Sequence, residues 1–187
     1  MSWAVFTMWA QSDYSAEVTS IRFSISPTIA AEPVKSDSSF EVSAPDRILY
    51  PVYPEQGDNI GTLTIPALKL ELPVIQGTGV EELKKGVGHF AQSVLPGEED
   101  NCVLSGHRET VFRQMGSLKI GDLLILQTSA GIFTYQIYGT RIVHADDKTV
   151  IVPTENAILT MTTCYPFNAP GYYPDRYIVS AVLVKSE

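Results

Sequence analysis

From residue 60 onward the chain is a succession of short, β-branched apolar runs with no sustained helical period between them. The runs are IGTLTIPA, LKLELPVIQG, NCVLSGH, LKIGDLLILQTS, IFTYQIYGTRIVHA, AILTMTTC and RYIVSAVLVK. Pro66 and Pro73 demote parts of the first two runs to edges or bends, because proline donates no hydrogen bond to a sheet. Short strands without long intervening helices predict a mostly antiparallel barrel or sandwich.

The connections between these runs carry their own signals. VEELKKG is typical of a short helix that ends at Gly86, and TVFRQMG is interpreted as a helical turn. The tight SAG connection predicts a hairpin between the runs on either side of it. The last two runs are joined by a loop over residues 165–175 and are expected to pair.

The chain before residue 59 has a different character. MSWAVFTMWA is apolar but too short to cross a bilayer, which takes about 20 residues, and it lacks the features of a secretory signal. Trp3 and Trp9 suit a membrane interface, so residues 1–10 are interpreted as the remnant of an N-terminal membrane anchor, with a loosely ordered terminus as the alternative. Residues 11–58 are predicted to be an extended tether or wrapping segment, and residues 59–187 the folded domain.

Composition narrows the function. The 187 residues suffice for one domain with its own core. The net charge of −8, without a block of like charge, argues against nucleic acid as a partner. The two cysteines form no CxxC pair or Cys/His cluster at metal spacing, so no zinc site and no cofactor is predicted.

Strand parity separates the two cysteines, which could form a disulfide, two buried thiols or one functional thiol. Cys102 is bracketed by Val103 and Leu104 and is predicted to be buried. Cys164 ends its run on the face that also carries Thr160 and Thr162, because alternate residues of a strand share a face. Cys164 is therefore the candidate nucleophile.

A thiol nucleophile needs an imidazole partner. Of His89, His107 and His144, His107 follows the NCVLS strand in SGHRET and has the setting of an accessible residue at a sheet rim, although a single histidine is more often structural. Arg176 opens the last run, and antiparallel pairing would bring it to the same end of the sheet as Cys164. A guanidinium there favours a thiolate or holds an oxyanion, and a solvated rim charge is the alternative.

The sequence around these candidates resembles the sortases, the cysteine transpeptidases of bacterial cell surfaces. TMTTC resembles their TLxTC signature, with Met161 where leucine is usual. The likeness covers roughly residues 60–185, in order through GVGHF, LPGEEDNCVLSGHRETVF, LKIGD, TMTTCYPF and DRYIVSA. The TTCYPF ending and the GHRETVFR block look most like class D sortases of Gram-positive bacilli and clostridia. A related class in Gram-negative bacteria has a similar ending.

The resemblance implies an eight-stranded β-barrel with short helices in its connections. It implies Cys164 as nucleophile, His107 as general acid and base, and Arg176 as the stabiliser of the oxyanion or substrate. Thr163 matches a position that helps to bind substrate or oxyanion, although parity puts it on the face opposite Cys164.

A peptide groove also needs walls, and the segments 78–98 and 165–175 flank the site in the layout. The aromatic residues of the second segment either line this groove or anchor the loop to the core; they are Tyr165, Phe167, Tyr172 and Tyr173. Some sortases bind calcium, but Glu81 and Glu82 form no liganding pattern, and no metal is predicted.

The implied reaction cleaves an LPxT-type sorting signal near the C-terminus of a surface protein and forms a thioacyl-enzyme. An amine of a peptidoglycan precursor (lipid II) then accepts the protein. The implied location is the cell membrane, with a single-pass anchor and the catalytic domain on the cell-wall side. Two alternatives remain: a cysteine peptidase with water as acceptor, and a secreted β-barrel binding module with a Cys102–Cys164 disulfide.

Overall fold

The structure is a computed structural model that describes residues 48–168, 171 and 173–187. The predicted anchor at residues 1–10 and most of the predicted tether lie outside the described residues, and the domain boundary at residue 59 stays a prediction. The described elements are β1 (Asn59–Ile65), β2 (Leu70–Gln76), helix α1 (Val80–Lys85), β3 (Val87–His89), β4 (Asn101–Ser105), β5 (Leu123–Thr128), β6 (Gly131–His144), β7 (Ile158–Cys164) and β8 (Asp175–Ser186), with 3₁₀ turns at Pro66–Leu68 and Met115–Ser117.

The eight described strands close into a barrel in the order β1-β2-β3-β4-β7-β8-β6-β5. The expected hairpin of β5 and β6 and the expected pairing of β7 with β8 are both present and antiparallel. Two neighbouring pairs, β2 with β3 and β4 with β7, are parallel. The prediction of an eight-stranded barrel is confirmed, and closure rather than a sandwich is the observed solution.

The β4–β7 pair matters most for the site. Its register runs from Asn101 opposite Ile158 to Ser105 opposite Thr162. Because parallel strands point the same way, both strands end at the same edge of the barrel. The residues that follow each strand therefore start from neighbouring positions.

Both faces of β4 are buried, for different reasons. Cys102 and Leu104 belong to the core cluster inside the barrel. On the other face, the Asn101 side-chain amide donates to the carbonyl oxygens of Val150 and Val152, at 3.1 and 3.3 Å. The connection between β6 and β7 therefore covers the outer face of β4. The sequence analysis did not predict this contact.

The local predictions fare unevenly. Helix α1 ends at Gly86 as predicted, where a Cβ would lie 2.4 Å from the carbonyl oxygen of Pro73. The helical turn predicted over TVFRQMG is present in part: a 3₁₀ turn spans Met115–Ser117, and the Arg113 and Met115 N–H groups ahead of it donate to the carbonyl oxygens of Thr110 and Phe112. Phe112 and Met115 are both buried in the core.

Residues ahead of β1 lie against the barrel. The Tyr50 hydroxyl donates to the carbonyl oxygen of Pro96 at 2.7 Å, and the Gly57 N–H donates to that of Gln76 at 2.8 Å. Across the described residues, none of the helices is long and apolar enough to cross a membrane.

His89 lies inside the barrel at the end of β3, fully buried and opposite Leu104. Its ring nitrogens lie 2.7 Å from Gln76 Oε1 and 2.9 Å from the carbonyl oxygen of Val94. Burial lowers the pKa of His89 below its ordinary value, and the Val94 carbonyl acts in the opposite direction. The ring is therefore a structural, neutral component of the barrel.

The neutral state of His89 predicts a loss of stability in acid. Below the ordinary histidine pKa of about 6.5 the unfolded chain takes up a proton that the folded chain resists. The free energy of unfolding should then fall by up to about 1.4 kcal/mol per pH unit on this account. In urea denaturation between pH 7.5 and 5, His89→Gln should flatten this slope, whereas His144→Gln, at an exposed histidine, should not. Equal slopes in wild type and His89→Gln would contradict the assignment.

Candidate active site

Cys164 is the last residue of β7, and its direct partner across the β7–β8 ladder is Arg176. Paired residues on antiparallel strands project from the same face of the sheet. Cys164 is half-buried, in contrast to the buried Cys102. The expectations that Cys164 is the accessible thiol and that Arg176 shares its edge of the sheet are confirmed.

His107 reaches the same edge by way of β4. The last pair of the β4–β7 ladder joins Ser105 to Thr162, and the Gly106 N–H then donates to the carbonyl oxygen of Thr162 at 3.2 Å. His107 and Cys164 thus each lie two residues beyond the last residue pair of this ladder. The structure brings the three predicted catalytic residues to one edge of the barrel; their roles stay predictions.

The Arg176 guanidinium is oriented by its own loop. Its Nη1 group donates to the carbonyl oxygens of Tyr173 and Asp175, at 3.1 and 3.0 Å. A guanidinium also carries N–H groups on Nε and Nη2 and stays charged at any relevant pH. Arg176 can therefore present a fixed cationic donor beside Cys164.

Thr163 lies on the face opposite Cys164, as parity predicts, and is buried. Its hydroxyl donates to the carbonyl oxygen of Gly106 at 2.7 Å. Gly106 immediately precedes His107, so this bond ties the histidine loop to the strand that carries the thiol.

Residues 63–184 match the sequence profile of the family described as "Sortase domain". The chain belongs to the sortase family. It is 49% identical over 127 residues to Sortase D of Bacillus subtilis (strain 168), an alignment that covers 67% of this chain and 64% of that protein. It is 28% identical over 129 residues to Sortase A of Bacillus anthracis, with 67% of this chain and 60% of that protein covered.

Solved sortase structures share the fold of this domain. A Clostridium perfringens Sortase D5 transpeptidase superposes with a TM-score of 0.64 at 29% identity, over 70% of this chain and 82% of that one. A mutant of sortase E from Streptomyces avermitilis superposes with a TM-score of 0.63 at 31% identity, over 72% and 93%. The chain spans less than two thirds of the length of the curated relatives it matches.

The aromatic residues that follow Cys164 in this sortase domain form a packed cluster. Tyr165 stacks on Tyr177 with ring centroids 6.3 Å apart, and Phe167 meets Tyr177 edge-on at 5.1 Å. Phe167 also packs so closely on Gly116 that a Cβ there would lie 2.6 Å from its ring. These contacts favour the loop-anchor alternative for Tyr165 and Phe167, while Tyr172 lies outside the described residues.

Arg108 is the residue that sequence reasoning missed. It reads as a charged flank of His107, yet its side chain is only 2% exposed. Its guanidinium contacts the connection between β7 and β8 through Pro166, Gly171 and Tyr173. A single arginine in a loop carries no sequence signal that separates a buried position from an exposed one.

Cys102 has no part in this site. Burial raises the pKa of its thiol far above the ordinary range, which suppresses the reactive thiolate. Its partner in β7 is Leu159, five positions before Cys164, or roughly 16 Å along a strand. A disulfide needs Cα atoms within about 7 Å. The alternative that joins Cys102 and Cys164 in a disulfide is therefore wrong, and both thiols are free.

A cleft of about 540 Å³ lies elsewhere, where the segment around Tyr50 meets β1 and the end of β5. None of the three predicted catalytic residues lines it. Within the ranges that the structure describes, no group of three His, Cys, Asp or Glu side chains is arranged to hold a metal ion.

The environments of the two thiols predict a large difference in reactivity. Iodoacetamide should modify Cys164 of the folded chain at least about 100-fold faster than Cys102, because Cys164 is accessible whereas Cys102 is buried and burial suppresses its thiolate. Peptide mapping by mass spectrometry measures both rates. Cys164→Ala should abolish the fast phase and Cys102→Ala should retain it; two equal rates would contradict the assignment.

Proposed function

We propose that this chain is a sortase-type cysteine transpeptidase. It cleaves an LPxT-type sorting signal after threonine and joins the surface protein to an amine of a peptidoglycan precursor. The observation that carries the proposal is the meeting of Cys164, His107 and Arg176 at one edge of the barrel, built from three different strands. The 49% identity to Sortase D of Bacillus subtilis supports the class D type.

In the first half-reaction His107 takes the proton of the Cys164 thiol, and the sulfur attacks the carbonyl carbon of the threonine. The carbonyl oxygen becomes an oxyanion, which the Arg176 guanidinium stabilises as a charged donor. The C–N bond to the next residue then breaks, and His107 gives its proton to the departing amine. The product is a thioester between Cys164 and the substrate.

In the second half-reaction an amine enters where the leaving group departed. It attacks the thioester carbonyl and passes its proton to His107, and the C–S bond breaks to release the Cys164 sulfur. A new amide bond links the substrate to the acceptor. Water in place of the amine gives hydrolysis, which is the side reaction and also defines the peptidase alternative.

The contacts of Thr163 and Tyr165 support roles in shaping the site. The Thr163 hydroxyl is engaged with the Gly106 carbonyl, and the Tyr165 ring packs on Tyr177. Direct binding of substrate by these two residues, as first predicted, is the less favoured proposal.

The location and partners follow from this reaction. The substrates are surface proteins with a C-terminal sorting signal, the acceptor is lipid II, and the catalytic domain faces the cell wall. We assign attachment to the membrane to the N-terminal region of the chain. Wall anchoring is preferred to pilus assembly because the sequence resembles class D sortases.

The direct test is mass spectrometry of the chain incubated with LPxTG-like peptides, with and without hydroxylamine or a diglycine amine. A transpeptidase yields an enzyme–peptide thioester and a substantial amine adduct. Exclusive hydrolysis in the presence of the amine would favour the peptidase, and the absence of any thioester would favour a binding module without catalysis.

Cys164→Ala should abolish both the thioester and the amine adduct, because no other accessible thiol can replace the lost nucleophile. Circular dichroism should show an unchanged fold. Cys102→Ala is the matched control: it should retain turnover and lose about 1–3 kcal/mol of stability through the small cavity left in the core. Turnover by Cys164→Ala would overturn the assignment.

Arg176→Lys should lower kcat by about 100-fold with a smaller change in KM, the typical cost of a lost oxyanion donor. Lysine retains the charge but carries all of its donors on one atom, so a nitrogen that donates to the Tyr173 and Asp175 carbonyl oxygens does not also place N–H groups where Nε and Nη2 of arginine lie. Steady-state kinetics with the peptide and a saturating amine measure both constants. An increase in KM at constant kcat would instead make Arg176 a ground-state binding residue.

A further inference from the structure

The Arg108 side chain is almost completely buried, and burying its charge costs free energy. It is 2% exposed, and arginine is almost never fully buried unless it is paired. Its Nε donates to Glu109 Oε1 at 2.8 Å, and that carboxylate is 64% exposed. An ion pair open to solvent on one side does not by itself explain the burial.

Three further contacts of Arg108 with described residues lie on the connection between β7 and β8. Nη1 donates to the carbonyl oxygen of Pro166 at 3.0 Å, and Nη2 donates to that of Gly171 at 2.5 Å. The guanidinium carbon lies 5.4 Å from the centre of the Tyr173 ring, within the range of a cation–π contact. One planar group thus holds three points of a single loop.

The contacts of Arg108 join the segment that carries His107 to the segment that follows Cys164. Arg108 directly follows His107, and Pro166 lies two residues after Cys164. On the other side of His107, Gly106 accepts the hydrogen bond from Thr163, which directly precedes Cys164. The residues before and after His107 are therefore each hydrogen-bonded to a residue close to Cys164: Gly106 to Thr163, and Arg108 to Pro166.

We propose that Arg108 is a positioning residue of the transpeptidase: its guanidinium fixes the loop of His107 to the loop that joins Cys164 to Arg176. The inference rests on the proposed function, since it concerns the alignment of the same three residues. Proton transfer between sulfur, substrate nitrogen and imidazole requires close alignment, and a displacement of about 1 Å can cost about 100-fold in rate.

Arginine is required by the geometry of these contacts. Its planar fork donates from three nitrogens in fixed directions, and its face stacks on an aromatic ring. Lysine keeps the charge but concentrates its donors at one atom, so it cannot reach Glu109, Pro166 and Gly171 together. A conservative change to lysine therefore tests the fork and not the charge.

The experiment compares Arg108→Lys and Arg108→Gln with the wild-type chain, and uses Arg113→Lys as the matched control. Arg113 lies on the same connection and is exposed. An LPxTG-like peptide and a saturating amine give kcat and KM for each variant. A folded chain has one rapidly alkylated thiol and an unfolded chain has two, so the excess over one thiol per chain gives the unfolded fraction by which kcat is corrected.

Both Arg108 variants should lose about 10- to 100-fold in corrected kcat with KM changed less than about threefold, because alignment and not binding is lost. Arg113→Lys should match wild type. A corrected kcat for Arg108→Lys within about twofold of wild type would overturn the inference, as would an increase in KM alone or a loss that vanishes after the correction. An inactive wild-type chain would instead refute the proposed function, and the inference with it.

Discussion

The parallel pairing of β4 with β7 is the constraint on which the rest of this molecule depends. Five consecutive residue pairs, from Asn101–Ile158 to Ser105–Thr162, hold the two strands in one register. A parallel pair cannot be closed by a tight turn, so the chain must travel through β5 and β6 before it returns. The benefit is that the two strands end together, which a hairpin cannot provide for residues so distant in sequence.

The same pairing gives the strands one face that packs in the core and an opposite face that carries the candidate active site. Cys102, Leu104, Leu159 and Met161 point into the barrel and belong to its core. The alternate residues of β7 lead outward to Cys164, and β8 supplies Arg176 directly opposite. Because each strand is shared by the core and the site, the packing of large apolar side chains on one face fixes the position of the reactive groups on the other.

Two side-chain hydrogen bonds then hold the loops at the neighbouring strand ends in fixed positions. Thr163 holds the residue before His107, and Arg108 holds the loop after Cys164. The rings of Tyr165 and Phe167 in this loop pack with the ring of Tyr177 in β8. Phe167 and Tyr177 also pack against the barrel core. The predicted catalytic residues lie where strands meet loops, yet each loop is fixed at its base by buried contacts.

The strand-rich architecture, the short helix α1 and the separation of the two cysteines follow from the sequence alone, since alternation and turn residues are local signals. The sequence motifs also indicated Cys164, His107 and Arg176. The parallel pairing of β4 with β7, the covering of β4 by the β6–β7 connection and the burial of Arg108 are seen only in the folded chain. Such facts depend on which distant segments meet, and a buried arginine is the same letter as an exposed one until its partners are known.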